Sequence, residues 1–214
     1  MSGRGRSKRK SFCDRLSYPL YFMDFETFQP AVPLYDQSRP YQQIPFQYSM
    51  HLQKEPDGEV VHAEFLADWK KDPRAGFIES LIADAGEQGD ILVYNQSFEI
   101  RILNELATDF PKYKDSIERI INRIVDLMQP FQQKHYYTPD MRGSYSIKKV
   151  LPALVPELKY DELEISEGGA ASRGFEELMA LEEGTVKENL RQNLLEYCKL
   201  DTWAMVKILE KIKE

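Results

Sequence analysis

The stretch Tyr18-Pro19-Leu20-Tyr21-Phe22-Met23-Asp24-Phe25-Glu26-Thr27-Phe28 places two carboxylates at the end of an aromatic and apolar run. Such a run suits a buried strand, expected over residues 19–28. Asp24 and Glu26 are two residues apart, so on a strand they share a face. Carboxylates ending an apolar strand are costly to desolvate unless a cation or partner neutralises them. A pair of divalent metals does this and also acts on phosphates, so the expectation is metal-dependent nuclease chemistry.

Three further acidic stretches extend the pattern: Asn95-Gln96-Ser97-Phe98-Glu99, Val125-Asp126 and Tyr197-Cys198-Lys199-Leu200-Asp201. Tyr197 and Asp201 lie in a helical stretch, four apart and on one face. Two-metal phosphodiester hydrolysis needs several carboxylates converging on ions roughly 3.5–4 Å apart, and a group that orients or deprotonates the water. Tyr197, one turn before Asp201, has the reach for that role. Hard oxygen ligands suit Mg²⁺ or Mn²⁺, and the absence of Cys/His ligand spacing argues against zinc. His51, His62 and His135 are scattered and receive no role.

At 214 residues the chain is long enough for one domain with a sizeable core. It has no run of eighteen apolar residues to span a membrane, and residues 1–10 do not read as a secretory leader. Two cysteines, Cys13 and Cys198, give no disulfide framework and suit a reducing cytoplasm. The net charge of −7 hides an asymmetry, because residues 1–10 carry five bases and no acid. Without them 23 bases face 35 acids, a balance of −12. Residues 1–17 are expected to be a flexible basic tail or linker, or alternatively an arm touching nucleic acid. Residues 18–214 form the expected domain.

Strands are also expected over residues 44–53, 60–66, 90–94 and 123–127, the first with Phe46, Tyr48, Met50 and Leu52 alternating. Helices are expected over 73–85, 97–107, 113–121, 146–154, 173–181 and 186–211, with irregular chain over 129–145 and mostly loop over 156–169. Three early strands followed by alternating strands and helices indicate a mixed α/β sheet.

Asp-x-Glu on a first strand, Asn-x-x-Phe-acid later and Tyr-x-x-x-Asp near the C-terminus resemble the DEDD superfamily of 3′–5′ exonucleases, in its tyrosine-bearing DEDDy branch. The resemblance covers nearly all of residues 18–211. More closely, Tyr-Pro-Leu-Tyr-Phe-Met-Asp-Phe-Glu-Thr-Phe, Arg-Pro-Tyr-Gln-Gln-Ile-Pro-Phe-Gln-Tyr-Ser and Tyr-Cys-Lys-Leu-Asp-Thr look like a bacterial family. In that family this domain is the C-terminal part of a longer protein, often behind a RecB-like nuclease segment. The resemblance implies an RNase H-like fold, with a five-stranded mixed sheet of order 3-2-1-4-5, strand 2 antiparallel, flanked by helices. It implies two-metal hydrolysis at the 3′ end of single-stranded DNA or RNA, releasing nucleoside monophosphates. Asp24, Glu26, Glu99 and Asp201 would hold two Mg²⁺ or Mn²⁺ ions, with Tyr197 orienting the water. Glu99 stands where the superfamily usually has aspartate. That departure leaves an alternative open: a catalytically weakened nucleic-acid-binding or assembly module of a larger nuclease protein.

Around these residues, Phe25, Thr27, Asn95 and Lys148 are candidate substrate contacts. Phe28, Tyr136 and Tyr137 are candidates for base stacking, against core filling for Phe25. Asn95 either bonds a nucleotide or turns the chain. Asp126 either lines the site or caps the next helix. Lys148 and Lys149 either contact phosphate or are solvated.

Overall fold

The computed structural model describes residues 3–68, 70–160 and 163–214. At its centre is β1 (Leu20–Phe28), buried along almost its whole length. It pairs antiparallel with β2 (Ile44–Gln53), which pairs antiparallel with β3 (Val60–Leu66). On its other side it pairs parallel with β4 (Asp90–Val93), and β4 with β5 (Ile124–Asp126). The order is therefore β3-β2-β1-β4-β5, as expected. Gly89 lets β4 close on the start of β1. Its φ is 82°, and a Cβ there would sit 1.9 Å from the Pro19 carbonyl oxygen, so only glycine fits.

Alternation along β1 sorts its side chains into two layers. Tyr21, Met23 and Phe25 join a core under α2 (Pro73–Asp84), α3 (Gln96–Asp109) and α4 (Lys114–Ile121). Leu20, Phe22 and Phe28 join the opposite core. That layer holds α5 (Gln129–Gln132), α6 (Ile147–Leu154), α7 (Gly168–Ala180) and α8 (Thr185–Lys213). Asp24 and Glu26 have the parity of this second layer, so the sheet aims them toward α8.

The expected alternation of β2 fails at one residue. Tyr48 and Met50 lie in the α2 layer, whereas Phe46 lies in the α8 layer, stacked on Phe175 of α7 at 4.1 Å. The register against β1 skips Phe46, because Glu26 faces Gln47 while Thr27 faces Pro45. An extra residue in one strand of a ladder reverses the inward set beyond it.

Residues Gly3–Asp14, expected as a tail, form a helix, α1. Phe12 is buried in the α8-side core, and the Cys13 thiol lies 3.9 Å from the Ile212 carbonyl oxygen. One aromatic anchor docks an otherwise basic segment, a signal too small for sequence periodicity to register. Met1 and Ser2, and residues 161 and 162 of the expected loop over 156–169, lie outside the described residues. No helix among the described residues is long and apolar enough to cross a membrane.

Candidate metal centre

The β1–β4 ladder ends at Phe22 opposite Leu92, so Asp24 and Glu26 continue past the end of β4. There the chain turns into α3 at Asn95, which adopts the left-handed conformation, φ 81° and ψ 69°. Asparagine tolerates this region better than most side chains. The Asn95 N–H donates to Asp126 Oδ1 at 3.1 Å, and the Met128 N–H donates to the same oxygen at 2.9 Å. Asp126 thus ties the β4–α3 turn to the turn after β5; it neither joins the converging carboxylates nor serves as the N-cap of the following helix, a position that Met128 takes. The Asn95 side chain accepts from Ser97 Oγ at 2.6 Å and stays exposed; it turns the chain.

α8 supplies the other wall. Its buried stripe runs Leu194, Tyr197, Cys198, Asp201, Thr202, Met205, Ile208, Leu209, Ile212. A carboxylate in such a stripe needs a partner, and Asp201 finds several. Carboxylate oxygens of Asp24, Glu26 and Asp201 lie within 4.8 Å of one another, joining a strand to a helix far along the chain. Tyr160 donates to Asp201 Oδ1 at 2.6 Å. The three acids line a cleft of about 260 Å³ with Tyr94, Lys148, Tyr197 and Met205. Lys148 Nζ is 5.6 Å from the centre of the Tyr160 ring and 5.9 Å from that of Tyr197, and donates to the Ser166 carbonyl at 2.6 Å.

Crowding and burial oppose ionisation throughout the cluster. Burial, then Asp201, Glu26 and Glu99 in turn, push Asp24 well above the carboxylate range. Glu26 rises to about 8 through burial and Asp201, with Lys148 opposing. Asp201 rises only to about 6, because the Tyr160 hydroxyl, Lys148 and the Tyr197 hydroxyl offset its burial. The same surroundings hold the Tyr197 hydroxyl above its usual range, chiefly by burial and next by Asp201. Three converging hard oxygens that resist sharing a small volume as anions are a donor set that fits Mg²⁺ or Mn²⁺.

The expected fourth ligand stands apart. Glu99, in the first turn of α3, is 1% exposed and does not belong to the converging group. Its Oε2 has no hydrogen-bond partner among the described residues, and burial lifts its carboxyl to about 8. Its charge nevertheless acts on Asp24 and Glu26, so it lies within electrostatic reach of the same cluster.

The proposed substrate contacts divide. Lys148 lines the cleft. Phe25 also lines the cleft, but its ring packs edge-on against Phe77 at 5.1 Å in the α2 layer and is not available to stack on a base. Thr27 accepts from Gln43 Nε2 at 3.3 Å, and Gln43 in turn bonds Arg101 of α3, so Thr27 is turned away. Phe28 is fully buried, and Tyr136 packs against Phe131. Tyr137 is 44% exposed. Tyr160 was not expected; it lies in an irregular segment, and nothing local in sequence marks it as a partner of Asp201. His51 and His62 meet across β2 and β3, 4.5 Å between rings. They share a buried hydrogen-bonded cluster with Ser49 and Thr202, so sequence scatter concealed a structural pair.

A family described as "Domain of unknown function (DUF2779)" matches residues 21–146, more than half of the chain. The chain belongs to this family. The matched segment carries Asp24, Glu26 and Glu99 and ends before Tyr197 and Asp201. The chain is also similar to the "Uncharacterized protein MG366 homolog" of Mycoplasma pneumoniae. Identity there is 28% over 229 residues, covering 97% of this chain and 34% of that protein. It is 27% identical to "Uncharacterized protein MG366" of Mycoplasma genitalium, over 97% of this chain and 34% of that one. With "Uncharacterized protein UU173" of Ureaplasma parvum the identity is 29%, over 95% and 32% respectively. The chain thus spans about a third of the length of these relatives. No solved structure matches it significantly.

Proposed function

We propose that this domain is a metal-dependent 3′–5′ exonuclease that hydrolyses single-stranded DNA or RNA and releases nucleoside monophosphates. One observation carries the reading: Asp24, Glu26 and Asp201 converge within 4.8 Å at the end of the central strand. The five-stranded order β3-β2-β1-β4-β5 and the motif order support it. The 3′–5′ direction rests on the resemblance to the DEDDy exonucleases.

Asp24, Glu26 and Asp201 would hold the divalent cations, with the Glu99 charge acting on the first two from outside the converging group. Bound there, Mg²⁺ or Mn²⁺ supplies an activated water and neutralises charge developing on the phosphate. Tyr197 orients the attacking water by a hydrogen bond; its raised pKa makes it a donor rather than a proton acceptor. Tyr160 fixes one oxygen of Asp201, and the Tyr197 hydroxyl also bonds that carboxylate, so the two tyrosines set its orientation. Lys148 neutralises part of the acidic cluster and meets a substrate phosphate.

The relatives' length is consistent with a domain of a larger protein, and a RecB-like nuclease segment is the partner we infer within that chain. Free Cys13 and Cys198 accord with a reducing cytoplasm. Glu99, outside the converging group and with its Oε2 lacking a partner among the described residues, favours a second reading, a nucleic-acid-binding or assembly module with a weakened metal site.

The test is incubation of 5′-labelled single-stranded DNA and RNA with Mn²⁺, products being resolved by length. A ladder shortening from the 3′ end, absent in Asp24→Asn and Asp201→Asn, is expected. Binding without cleavage in Mn²⁺ selects the second reading. Cleavage retained by both variants removes the assigned centre.

A further inference from the structure

A second depression adjoins the carboxylate cleft on its α6 side. It has a volume of about 500 Å³ and shares Lys148 with the cleft. Tyr160, which bonds Asp201 in the cleft, also forms part of its wall. Its charge is opposite to that of the protein as a whole. Among the described residues, Arg142, Lys148, Lys149 and Lys159 line it with a single acid, Asp140, in a chain of net charge −7. Three chain segments deliver these bases. Arg142 follows the 3-10 turn Pro139–Met141, Lys148 and Lys149 sit in the first turn of α6, and Lys159 follows that helix.

Arg142, Lys149 and Lys159 are exposed and enter no ion pair among the described residues. Elsewhere acids are plentiful enough that Lys70, Lys112, Lys114, Lys187, Lys207 and Lys211 each have one nearby. Unpaired like charges gathered in one concavity repel each other and focus potential on an incoming anion. Separated point charges suit an anion whose charges are spaced along a chain. The apolar side of the depression, Pro152 and Ala153, offers no side-chain hydrogen-bonding group to read base edges. Contacts of that kind hold a backbone and leave sequence unread.

We propose that this trough binds the phosphodiester backbone of the strand on the 5′ side of the bond being cut, through Arg142, Lys149 and Lys159. The proposal rests on the exonuclease reading for the strand's polarity. It predicts that long single strands are held by charge outside the carboxylate cleft, whereas a mononucleotide ester uses the cleft alone.

The experiment compares the wild-type chain with a triple variant, Arg142→Gln, Lys149→Gln and Lys159→Gln. Binding of a fluorescein-labelled dT oligomer is measured in EDTA across a KCl series. Hydrolysis of thymidine 5′-monophosphate p-nitrophenyl ester is measured in Mn²⁺. In the variant we expect the slope of log affinity against log salt to shrink by about 2, at roughly 0.7 for each phosphate that the protein no longer neutralises. Ester hydrolysis should be unchanged. The single variant Lys149→Gln, with an expected slope change of about 0.7, serves if the triple variant does not fold. An unchanged slope and affinity overturn the trough whether or not the ester is cut. So does a wild-type chain that binds no oligomer, or one that binds inorganic polyphosphate and not the oligomer. If the slope falls as expected while the wild type cuts neither substrate, the trough stands as a strand-binding site and the catalytic reading fails.

Discussion

Tyr197 and Tyr160 approach the same carboxylate from different segments, and their substitutions should separate. In the proposed mechanism Tyr197→Phe removes the group that orients water. It should lower kcat roughly 10²–10⁴-fold, with KM little changed. Unaltered turnover would take Tyr197 out of the chemistry. Tyr160→Phe removes the 2.6 Å hydrogen bond to Asp201 Oδ1. Partners of this kind orient a ligating carboxylate, and their loss typically weakens metal binding about 10–100-fold. Calorimetric titration with Mn²⁺ measures it, and an unchanged affinity would reduce Tyr160 to a packing residue. Glu99→Gln keeps the shape of a buried side chain and removes its charge. It should abolish cleavage, leave strand binding in place and raise the melting temperature of the metal-free protein at pH 9. Unchanged cleavage would mean that the carboxylates work without Glu99.

At the scale of elements, the site depends on how firmly α2, α3 and β1 are held. Arg74 of α2 is 2% exposed and paired with Asp72 at 2.7 Å and Asp109, the last residue of α3, at 3.3 Å. It also donates to the Asp36 carbonyl oxygen at 2.9 Å, so one guanidinium ties two helices to the loop after β1. Removing one partner of a buried ion pair costs about 3–5 kcal/mol. Arg74→Leu should fall near the lower end, because Asp72 remains partly exposed. Urea unfolding tests this, and a loss below about 1 kcal/mol would show that the network is replaceable. These elements were legible in sequence to different degrees. β2 and β3 were readable from apolar runs bounded by turns. The layer taken by Phe46 was not, because a bulge is a property of two paired strands.

For the whole molecule, the buried acids set an unusual pH response. Glu26 and Glu99 titrate near 8 in the folded protein and Asp201 near 6, all above their unfolded values. Between the two sets of values the native state holds more protons than the unfolded chain, so stability falls as pH rises. His51 and His62 act in the opposite direction. Burial lowers them to about 3 and about 4, so their contribution is lost as pH falls below 6.5. From pH 6.5 to 8.5 the carboxylates therefore act without opposition from this pair. In EDTA the melting temperature should drop across that window, and Mn²⁺ should restore it most at the alkaline end, where the ligands ionise readily. A flat profile in EDTA, with no rise on adding metal, would contradict the cluster.

The sequence by itself determined the α/β class, the central strand with its two same-face carboxylates, and the helix that sets Tyr197 and Asp201 one turn apart. Those features follow from local periodicity, which short-range sterics and burial impose. Only the tertiary structure decided that Asp24, Glu26 and Asp201 share one cleft and that Glu99 stands outside the converging group. It alone brought Tyr160 to Asp201, packed the Phe25 ring into the α2 layer, turned Thr27 away from the cleft, and gathered the unpaired bases beside the acids. Each of these depends on which face of one element meets another across the sheet, and residues far apart in the chain carry no local pattern that records such a meeting.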